Sequence, residues 1–185
     1  MSIEILGISG NPVANSNTDR LVLQVMRSSG LEYEFVKLND LYLGPCRACQ
    51  TCVEDNICKL DDDFPELAKK LQEAKGLVIG GYTPYGILDA FTKAFLERLC
   101  LMMHLNRLNE QKYFVTVISG LSKQTSELAL KLIAKELFRE KLQPVAQLSI
   151  EENVPYLTDQ PVWEKATKSG ELLAQFITEE IECWL

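Results

Sequence analysis

The sequence predicts a doubly wound α/β fold, in which a five-stranded parallel sheet of order 2-1-3-4-5 carries helices on both faces. Short apolar runs of strand length alternate along the chain with longer segments of helical period, as expected for βα units. Right-handed crossovers between parallel strands then place helices on both sides of the sheet. Since no internal repeat or linker-like segment interrupts this pattern, we expect residues 1–185 to form a single domain.

Local patterns define the individual elements. The first helix carries Leu21, Val22, Val25 and Met26 at helical spacing, and Gly30 follows where a C-cap is expected. The predicted strands are residues 3–9, 33–38, 77–81, 113–118 and 145–150, and the predicted helices are residues 18–29, 64–74, 90–105, 126–141 and 162–182.

Charge and composition exclude several classes of function. The chain has 19 Lys and Arg against 26 Asp and Glu, a net charge of -7, and no basic cluster of the kind that binds nucleic acid or an anionic membrane. No apolar run reaches the roughly 18 residues that a membrane-spanning helix needs. A strand begins at residue 3, which leaves no space for a secretion signal, so we expect a cytoplasmic protein.

The segment between the first strand and the first helix, residues 9–18, has the composition of an anion-binding loop. Unpaired backbone N–H groups at a helix N-terminus attract a phosphate, and short polar side chains can add donors. The segment matches neither G-x-G-x-x-G nor G-x-x-x-x-G-K-[ST], which favours a monophosphate such as that of FMN. An ordinary turn with an N-cap would have a similar composition. The candidate binding residues are Ser9, Asn11, Pro12, Asn15, Ser16, Asn17 and Thr18.

A second loop, residues 82–89, follows the third strand, and in this fold the first and third strands flank the point where strand order reverses. Its Tyr82 and Tyr85 could pack against a flat ring, or could simply cap the edge of the sheet. Small residues after the fourth strand form a third loop at the same edge. The candidate binding residues of these two loops are Thr83, Pro84, Tyr85, Gly86, Ile87, Ser119 and Gly120.

Four cysteines lie close together in a Cys-rich insertion at about residues 44–60, with the spacing C-x2-C-x2-C-x5-C. Four thiolates this close could hold a 4Fe-4S cluster. Zinc, dithiol redox chemistry and thiols without a function remain alternatives. The two other cysteines, on predicted helices, are expected to be packing residues. The candidate metal ligands are Cys46, Cys49, Cys52 and Cys58, and the expected packing residues are Cys100 and Cys183.

With these motifs, the chain resembles the iron-sulfur flavoprotein branch of the NADPH-dependent FMN reductase family, which has a flavodoxin-like fold. Residues 11–18 resemble the S-P-R-x-x-S-N-T phosphate loop of the family, and Thr83-Pro84-Tyr85 resembles its T-P-x-Y loop. Residues 93–98 are similar to its K-A-F-x-[DE]-R helix, and the cysteine spacing is typical of the branch. Asn11 and Val13 stand where Ser and Arg are usual, and residues 84–93 are shorter than the common form.

The resemblance implies FMN and a 4Fe-4S cluster as cofactors, and electron transfer from ferredoxin to the cluster, to FMN and on to a small acceptor of the oxygen, peroxide or quinone type. It also implies a homodimer or homotetramer. No catalytic side chain is required, because the cofactors carry the chemistry. An NAD(P)H-dependent FMN reductase without a cluster and a zinc- or thiol-based redox sensor are the alternatives. We expect a packing or interface role for His104, and the apolar run 99–105 suits a subunit interface better than a solvated face.

Overall fold

The computed structural model describes residues 3–103, 112–139, 142–151 and 160–179, which build one five-stranded sheet flanked by helices. The strands are β1 (Ile5–Ser9), β2 (Tyr33–Lys37), β3 (Gly76–Thr83), β4 (Tyr113–Gly120) and β5 (Gln143–Glu151). The helices are α1 (Asn17–Ser29), α2 (Phe64–Glu73), α3 (Ala90–Arg98), α4 (Lys123–Arg139) and α5 (Gln160–Glu179). The sheet order is β2-β1-β3-β4-β5 and each neighbouring pair is parallel, so the predicted architecture is confirmed.

Two apolar layers hold the helices against the sheet. On one face α2, α3 and α4 pack on side chains such as Leu6 and Phe114, and on the other face α1 and α5 pack on Ile5 and Val115. Burial on both faces explains why the interior strands have nearly continuous apolar sequences. At the contact between α1 and α5, a Cβ on Gly170 would lie 2.1 Å from the Val25 carbonyl oxygen, so the close approach of the two helices requires glycine.

The ends of the helices agree with the predicted ends at some positions and differ at others. Gly30 takes the left-handed conformation (φ 70°) at the C-cap of α1, as predicted. Helix α3 becomes a 3₁₀ helix over Leu99–Met103, and the predicted end at residue 105 lies outside the described residues. Helix α4 begins three residues earlier than predicted, because the Ser122 hydroxyl accepts a hydrogen bond from the Thr125 amide (3.3 Å) and caps it.

Residues 41–63, here called the Cys loop, form neither helix nor strand, and the predicted Cys-rich insertion lies within them. The loop is closed at its base, where the Tyr42 amide donates to the Asp63 carboxylate (2.6 Å) and the Gly44 amide approaches Asp62 (3.5 Å). In the described ranges no helix has the length and apolar character needed to cross a membrane. One domain over residues 1–185 stays a prediction, since five segments lie outside the description.

Candidate functional site

Three loops meet at the carboxyl edge of the sheet. They are the first loop (residues 10–16), the second loop (residues 84–89) and the third loop (residues 121–122), which follow the neighbouring strands β1, β3 and β4. The strand register brings Thr83 opposite Gly120, and the Gly10 amide donates to the Gly80 carbonyl (2.9 Å). The three predicted binding segments therefore converge at the sheet edge that contains the reversal of strand order, between β1 and β3. Thr83, Ser119 and Gly120, which were predicted to lie in loops, are the last residues of β3 and β4.

The first loop leads into the positive end of α1. Ser16 is the N-cap, and its hydroxyl accepts the Asp19 amide (3.1 Å) while the Asp19 carboxylate accepts the Ser16 amide (3.3 Å). The Lys37 ammonium pairs with Asp19 at 2.7 Å and also donates to the Val13 carbonyl (2.8 Å). Lys37 thus offsets the carboxylate behind the loop, so the helix end stays favourable for an anion.

Lys37 was missed by sequence reasoning. It is the last residue of β2, at the same carboxyl edge of the sheet as the first loop. A lysine at the end of a strand that neighbours β1 was the signal that could have identified it.

Four of the predicted binding residues form a buried polar network beneath the loops, and each is at most 3% exposed. The Ser9 hydroxyl donates to Asp19 (2.6 Å), and the Thr18 and Ser119 hydroxyl oxygens lie 2.7 Å apart. The Asn11 amide nitrogen donates to the Thr18 hydroxyl (3.2 Å), which in turn donates to the Gly81 carbonyl (3.3 Å). Their side chains connect the first loop to β3 and β4. A direct contact with a phosphate stays a prediction for these residues.

The rest of the predicted phosphate contacts lie at the surface. Pro12 and Asn15 are exposed, and Ser16 and Asn17 are half-buried. Asn15 has a φ of 54°, in the left-handed region that asparagine tolerates better than most residues. The accessible part of the first loop is therefore the turn that runs directly into the helix start.

One buried carboxylate holds the second loop at both ends. Asp89, 1% exposed, is the N-cap of α3 and accepts the Thr92 amide and hydroxyl (2.7 Å each) and the Tyr82 amide (3.1 Å). Burial raises the pKa of Asp89, and the hydrogen bonds from Thr92 and Tyr82 oppose that rise. A Cβ on Gly10 would lie 2.0 Å from the Thr92 hydroxyl oxygen and 2.7 Å from Asp89 Oδ1, so this carboxylate lies directly against the first loop. Sequence reasoning missed its role, although an aspartate directly before a helix is a typical N-cap signal.

The second loop presents apolar side chains to solvent. Tyr85 is fully exposed (100%) and has a φ of 51°, and Ile87 is 68% exposed. Thr83 faces inward, where its hydroxyl oxygen accepts the Leu121 amide (3.4 Å) and so connects the second and third loops. Next to it, a Cβ on Gly120 would lie 2.1 Å from the Ser126 hydroxyl oxygen. The exposed face of these loops suits a flat ring, while their inner face is fixed by close packing.

The four cysteines of the Cys loop have different neighbours. The Cys46 sulfur accepts the Ala48 amide (3.4 Å), the Cys49 sulfur lies 3.3 Å from the Thr51 hydroxyl, and the Cys58 sulfur accepts Arg98 Nη2 (3.1 Å). In the described ranges no group of three or more His, Cys, Asp or Glu residues is placed to hold a metal ion. The predicted ligands thus share one loop but are not gathered around one centre.

The cysteines nevertheless affect one another electrostatically. Burial raises the pKa of Cys52, and the nearby Cys58, Cys46 and Cys49 raise it further. The hydrogen bond with Thr51 lowers the pKa of the Cys49 thiol. Ionising several of these thiols together is therefore unfavourable without a cation among them.

Arg98 anchors the Cys loop to α3. Its guanidinium forms a bidentate ion pair with the Asp62 carboxylate (2.6 and 2.9 Å) and donates to the Gly44 carbonyl (2.9 Å). It also lies 4.4 Å from the centre of the Phe64 ring. Burial would lower the pKa of Arg98, but the bonds to Asp62 and Cys58 raise it overall, so the guanidinium stays charged. Sequence reasoning placed Arg98 only within a family motif.

The remaining expectations concern residues predicted to have packing or interface roles. Cys100, expected to be a packing residue, has its sulfur 3.9 Å from the Cys46 sulfur, so it belongs to the surroundings of the Cys loop. The expectations for Cys183 and His104 fall outside the described residues. The subunit interface expected for the run 99–105 is not supported where the run is described, because Leu99, Leu101 and Met102 are at most 3% exposed and pack in the core of the same chain.

Comparison with protein families decides the relationship. The sequence profile described as NADPH-dependent FMN reductase matches residues 3–147. This chain belongs to that family. The matched range contains all three loops and the Cys loop, so the family relationship predicted from the motifs is confirmed.

Archaeal relatives within the family carry the name iron-sulfur flavoprotein. The protein of Methanocaldococcus jannaschii is 36% identical over 99 residues, which cover 52% of this chain and 51% of the relative. The Methanosarcina thermophila protein is 30% identical over 107 residues, 56% of each chain. A protein of Archaeoglobus fulgidus is 28% identical over 149 residues, 78% of this chain and 73% of the relative. The match thus spans about half the length of the first two relatives.

Solved structures of low sequence identity share the fold. A flavone reductase has a TM-score of 0.77 at 16% identity, covering 96% of this chain and 64% of the other. The apo form of an NADH:FMN oxidoreductase gives 0.68 at 15% identity, covering 99% and 92%. A flavodoxin from the domain Archaea gives 0.60 at 12% identity, covering 95% and 99%. These likenesses confirm the predicted flavodoxin-like fold.

Proposed function

We propose that this chain is an FMN-dependent oxidoreductase that holds FMN where its three loops converge. The main support comes from the geometry of the sheet edge. The capped start of α1, where Asp19 is paired with Lys37, lies at the same edge as the fully exposed Tyr85. The family of the chain supports the same proposal.

The residues present fit FMN in two respects. The helix start can hold the phosphate through backbone N–H groups of the exposed turn that leads into α1, since the Ser16 hydroxyl, the Ser16 amide and the Asp19 carboxylate are already committed to capping. Tyr85 and Ile87 can cover one side of the flat ring and remove their own apolar surface from water.

When bound, FMN supplies the electron-transfer chemistry, and the protein supplies position and electrostatics. We assign no catalytic side chain. We propose ferredoxin or NAD(P)H as the electron donor, a small acceptor of the oxygen, peroxide or quinone type, and a homodimer or homotetramer as the assembly. Stopped-flow reduction of the loaded protein by each donor and light scattering of the purified protein test these assignments.

Flavin release and rebinding test the central proposal. Protein made with ample riboflavin should release FMN on denaturation, and the apo form should quench the fluorescence of added FMN. Tyr85→Ala should weaken FMN binding at least tenfold (about 1.4 kcal/mol) because it removes the ring-covering side chain. Tyr33→Ala is the matched control, since Tyr33 begins β2 at the opposite edge of the sheet. Absence of bound FMN together with no affinity in the apo form would refute the proposal.

We propose further that the Cys loop takes up a 4Fe-4S cluster on Cys46, Cys49, Cys52 and Cys58. Two observations on the sequence support this proposal, namely the names of the archaeal relatives and the spacing of the cysteines. A third is Asn56, whose side chain is 3% exposed although neither its nitrogen nor its oxygen has a hydrogen-bond partner among the described residues. The Cys46 sulfur lies 3.9 Å from the Cys100 sulfur, so Cys100 would border this cluster without being one of its ligands. Iron and acid-labile sulfide in anaerobically purified protein test the assignment, and Cys52→Ser should lower both.

An NAD(P)H-dependent FMN reductase without a cluster is the second candidate. It is favoured by the absence of an assembled metal-binding group among the described residues. Flavin without iron, together with flavin-dependent oxidation of NAD(P)H, would select it. Bound zinc without flavin would instead select a redox sensor, and metal analysis beside flavin extraction separates all three.

A further inference from the structure

Cys46 and Cys100 bring together two sulfur atoms from distant parts of the sequence. The sulfur atoms lie 3.9 Å apart, and both residues are half-buried. Cys58 instead accepts a hydrogen bond from Arg98, and the exposed Cys49 lies against Thr51. Cys46 therefore has a thiol neighbour outside the proposed ligand set.

The two sulfur atoms are close enough for a small movement to join them. A disulfide bond is about 2.0 Å long, so the gap must close by about 1.9 Å. Cys46 lies in the Cys loop, where no helix or strand restrains the backbone, and Cys100 lies in the short 3₁₀ helix after α3. Near Cys46, Ala48 and Gln50 have φ values of 51° and 60°, which non-glycine residues adopt at a cost.

We propose that Cys46 and Cys100 form a reversible disulfide when the Cys loop carries no metal group, with hydrogen peroxide as the oxidant. One thiolate attacks the O–O bond, which yields a sulfenic acid and a hydroxide that takes up a proton to leave as water. The second thiol then attacks the sulfenic sulfur and releases another water. The two thiols lose two electrons and two protons in total, and the peroxide is reduced to two waters.

The disulfide ties the Cys loop to the end of α3 and removes one thiolate from the proposed ligand set. This consequence rests on the proposed function, because it assumes that Cys46 is a metal ligand. Oxidised protein then cannot fill the Cys loop with metal until a dithiol reductant has released Cys46.

Peptide mapping tests the disulfide itself. Full-length apo protein is reduced, treated with hydrogen peroxide, desalted, alkylated without reduction and digested. We expect a linked peptide pair containing Cys46 and Cys100, two hydrogens lighter than the separate peptides and split by dithiothreitol. Cys100→Ser should abolish the pair, and Cys49→Ser, the matched control, should retain it. Alkylated Cys46 and Cys100 in the peroxide-treated protein, or a link from Cys46 to another cysteine, would overturn the proposal.

Cobalt binding tests the competition with metal. Reduced apo protein should develop thiolate-to-Co²⁺ absorption under argon, and the peroxide-treated protein should lose it until dithiothreitol is added. Cys100→Ser should keep the absorption after the same peroxide treatment. Unchanged absorption in oxidised wild type, or its loss in reduced Cys100→Ser, overturns the competition. If reduced wild type binds no Co²⁺, the competition and the proposed metal site fail together, while peptide mapping still decides the disulfide.

Discussion

Replacing Arg98 with methionine removes the guanidinium that connects the Cys loop to α3. The side chain is 1% exposed and its partner Asp62 is 6% exposed, so the ion pair is shielded from water. Methionine keeps an apolar chain of similar length against the Phe64 ring, so the variant changes charge and hydrogen bonding more than volume.

The structure sets the expected magnitude. Deleting one partner of a buried ion pair costs about 3–5 kcal/mol, because the remaining charge stays buried without compensation. Asp62 keeps the Phe64 amide as a donor (3.1 Å), which favours the lower end of that range. A loss of about 3 kcal/mol lowers Tm by roughly 6–12 °C in a chain of this size.

Urea unfolding followed by circular dichroism measures the difference, and its pH dependence identifies the cause. Burial raises the pKa of Asp62, but the Arg98 hydrogen bonds lower it overall. The stabilisation is therefore fully present above about pH 4, the ordinary pKa of aspartate, and is lost as the pH falls through the lowered value. The difference between wild type and Arg98→Met should shrink in that acidic range.

Lys93→Met on the same helix is the matched control. Lys93 pairs with Glu97 at 2.5 Å, but the two side chains are 48% and 37% exposed, so its loss should change stability by less than about 0.5 kcal/mol. If Arg98→Met is no more destabilising than Lys93→Met, or if its effect is independent of pH, then the buried pair does not anchor the Cys loop.

Three further substitutions test the loops and helix ends. Asp89→Asn should cost about 1–3 kcal/mol at pH 7 in urea unfolding, because the Thr92 and Tyr82 amides donate to different carboxylate oxygens and asparagine replaces one of these acceptors with an NH2 donor. Burial raises the pKa of Asp89, so wild type should gain stability relative to this variant as the pH falls through that raised value, and an unchanged difference would contradict the assignment. Gly10→Ala should weaken FMN binding at least tenfold in a fluorescence titration, because its Cβ would meet the Thr92 hydroxyl at 2.0 Å, and normal affinity would show that the loop packing is not required. Gly30→Ala should cost about 1 kcal/mol in urea unfolding, because it forces alanine to a φ of 70° with no new contact within 4 Å, and a neutral result would mean that α1 ends differently in solution.

Local signals explain the predictions that were confirmed. The alternation of strand-length apolar runs with helical periods is a property of neighbouring residues, and it predicted the sheet order once right-handed crossovers were assumed. Gly30 as a C-cap was predicted for the same reason. The cap at Ser122 was a local signal too, but it was overlooked, which misplaced the start of α4.

Contacts between distant residues explain what was missed. The Thr18 hydroxyl lies against Ser119, which is 101 positions away, and its predicted contact with a phosphate stays a prediction. Lys37 reaches Asp19 only because β2 pairs with β1, and Cys46 meets Cys100 only because the Cys loop folds back over α3.

The sequence by itself determined the βα order, the position of the three loops and the family motifs, because each depends on residues that are close along the chain. Only the tertiary structure decided which polar side chains are buried and connect the loops to one another, and which stay exposed at the sheet edge. Burial at the carboxyl edge of the sheet forces each hydroxyl, carboxylate and amide to find a partner, and the nearest partner in space is seldom the nearest in sequence.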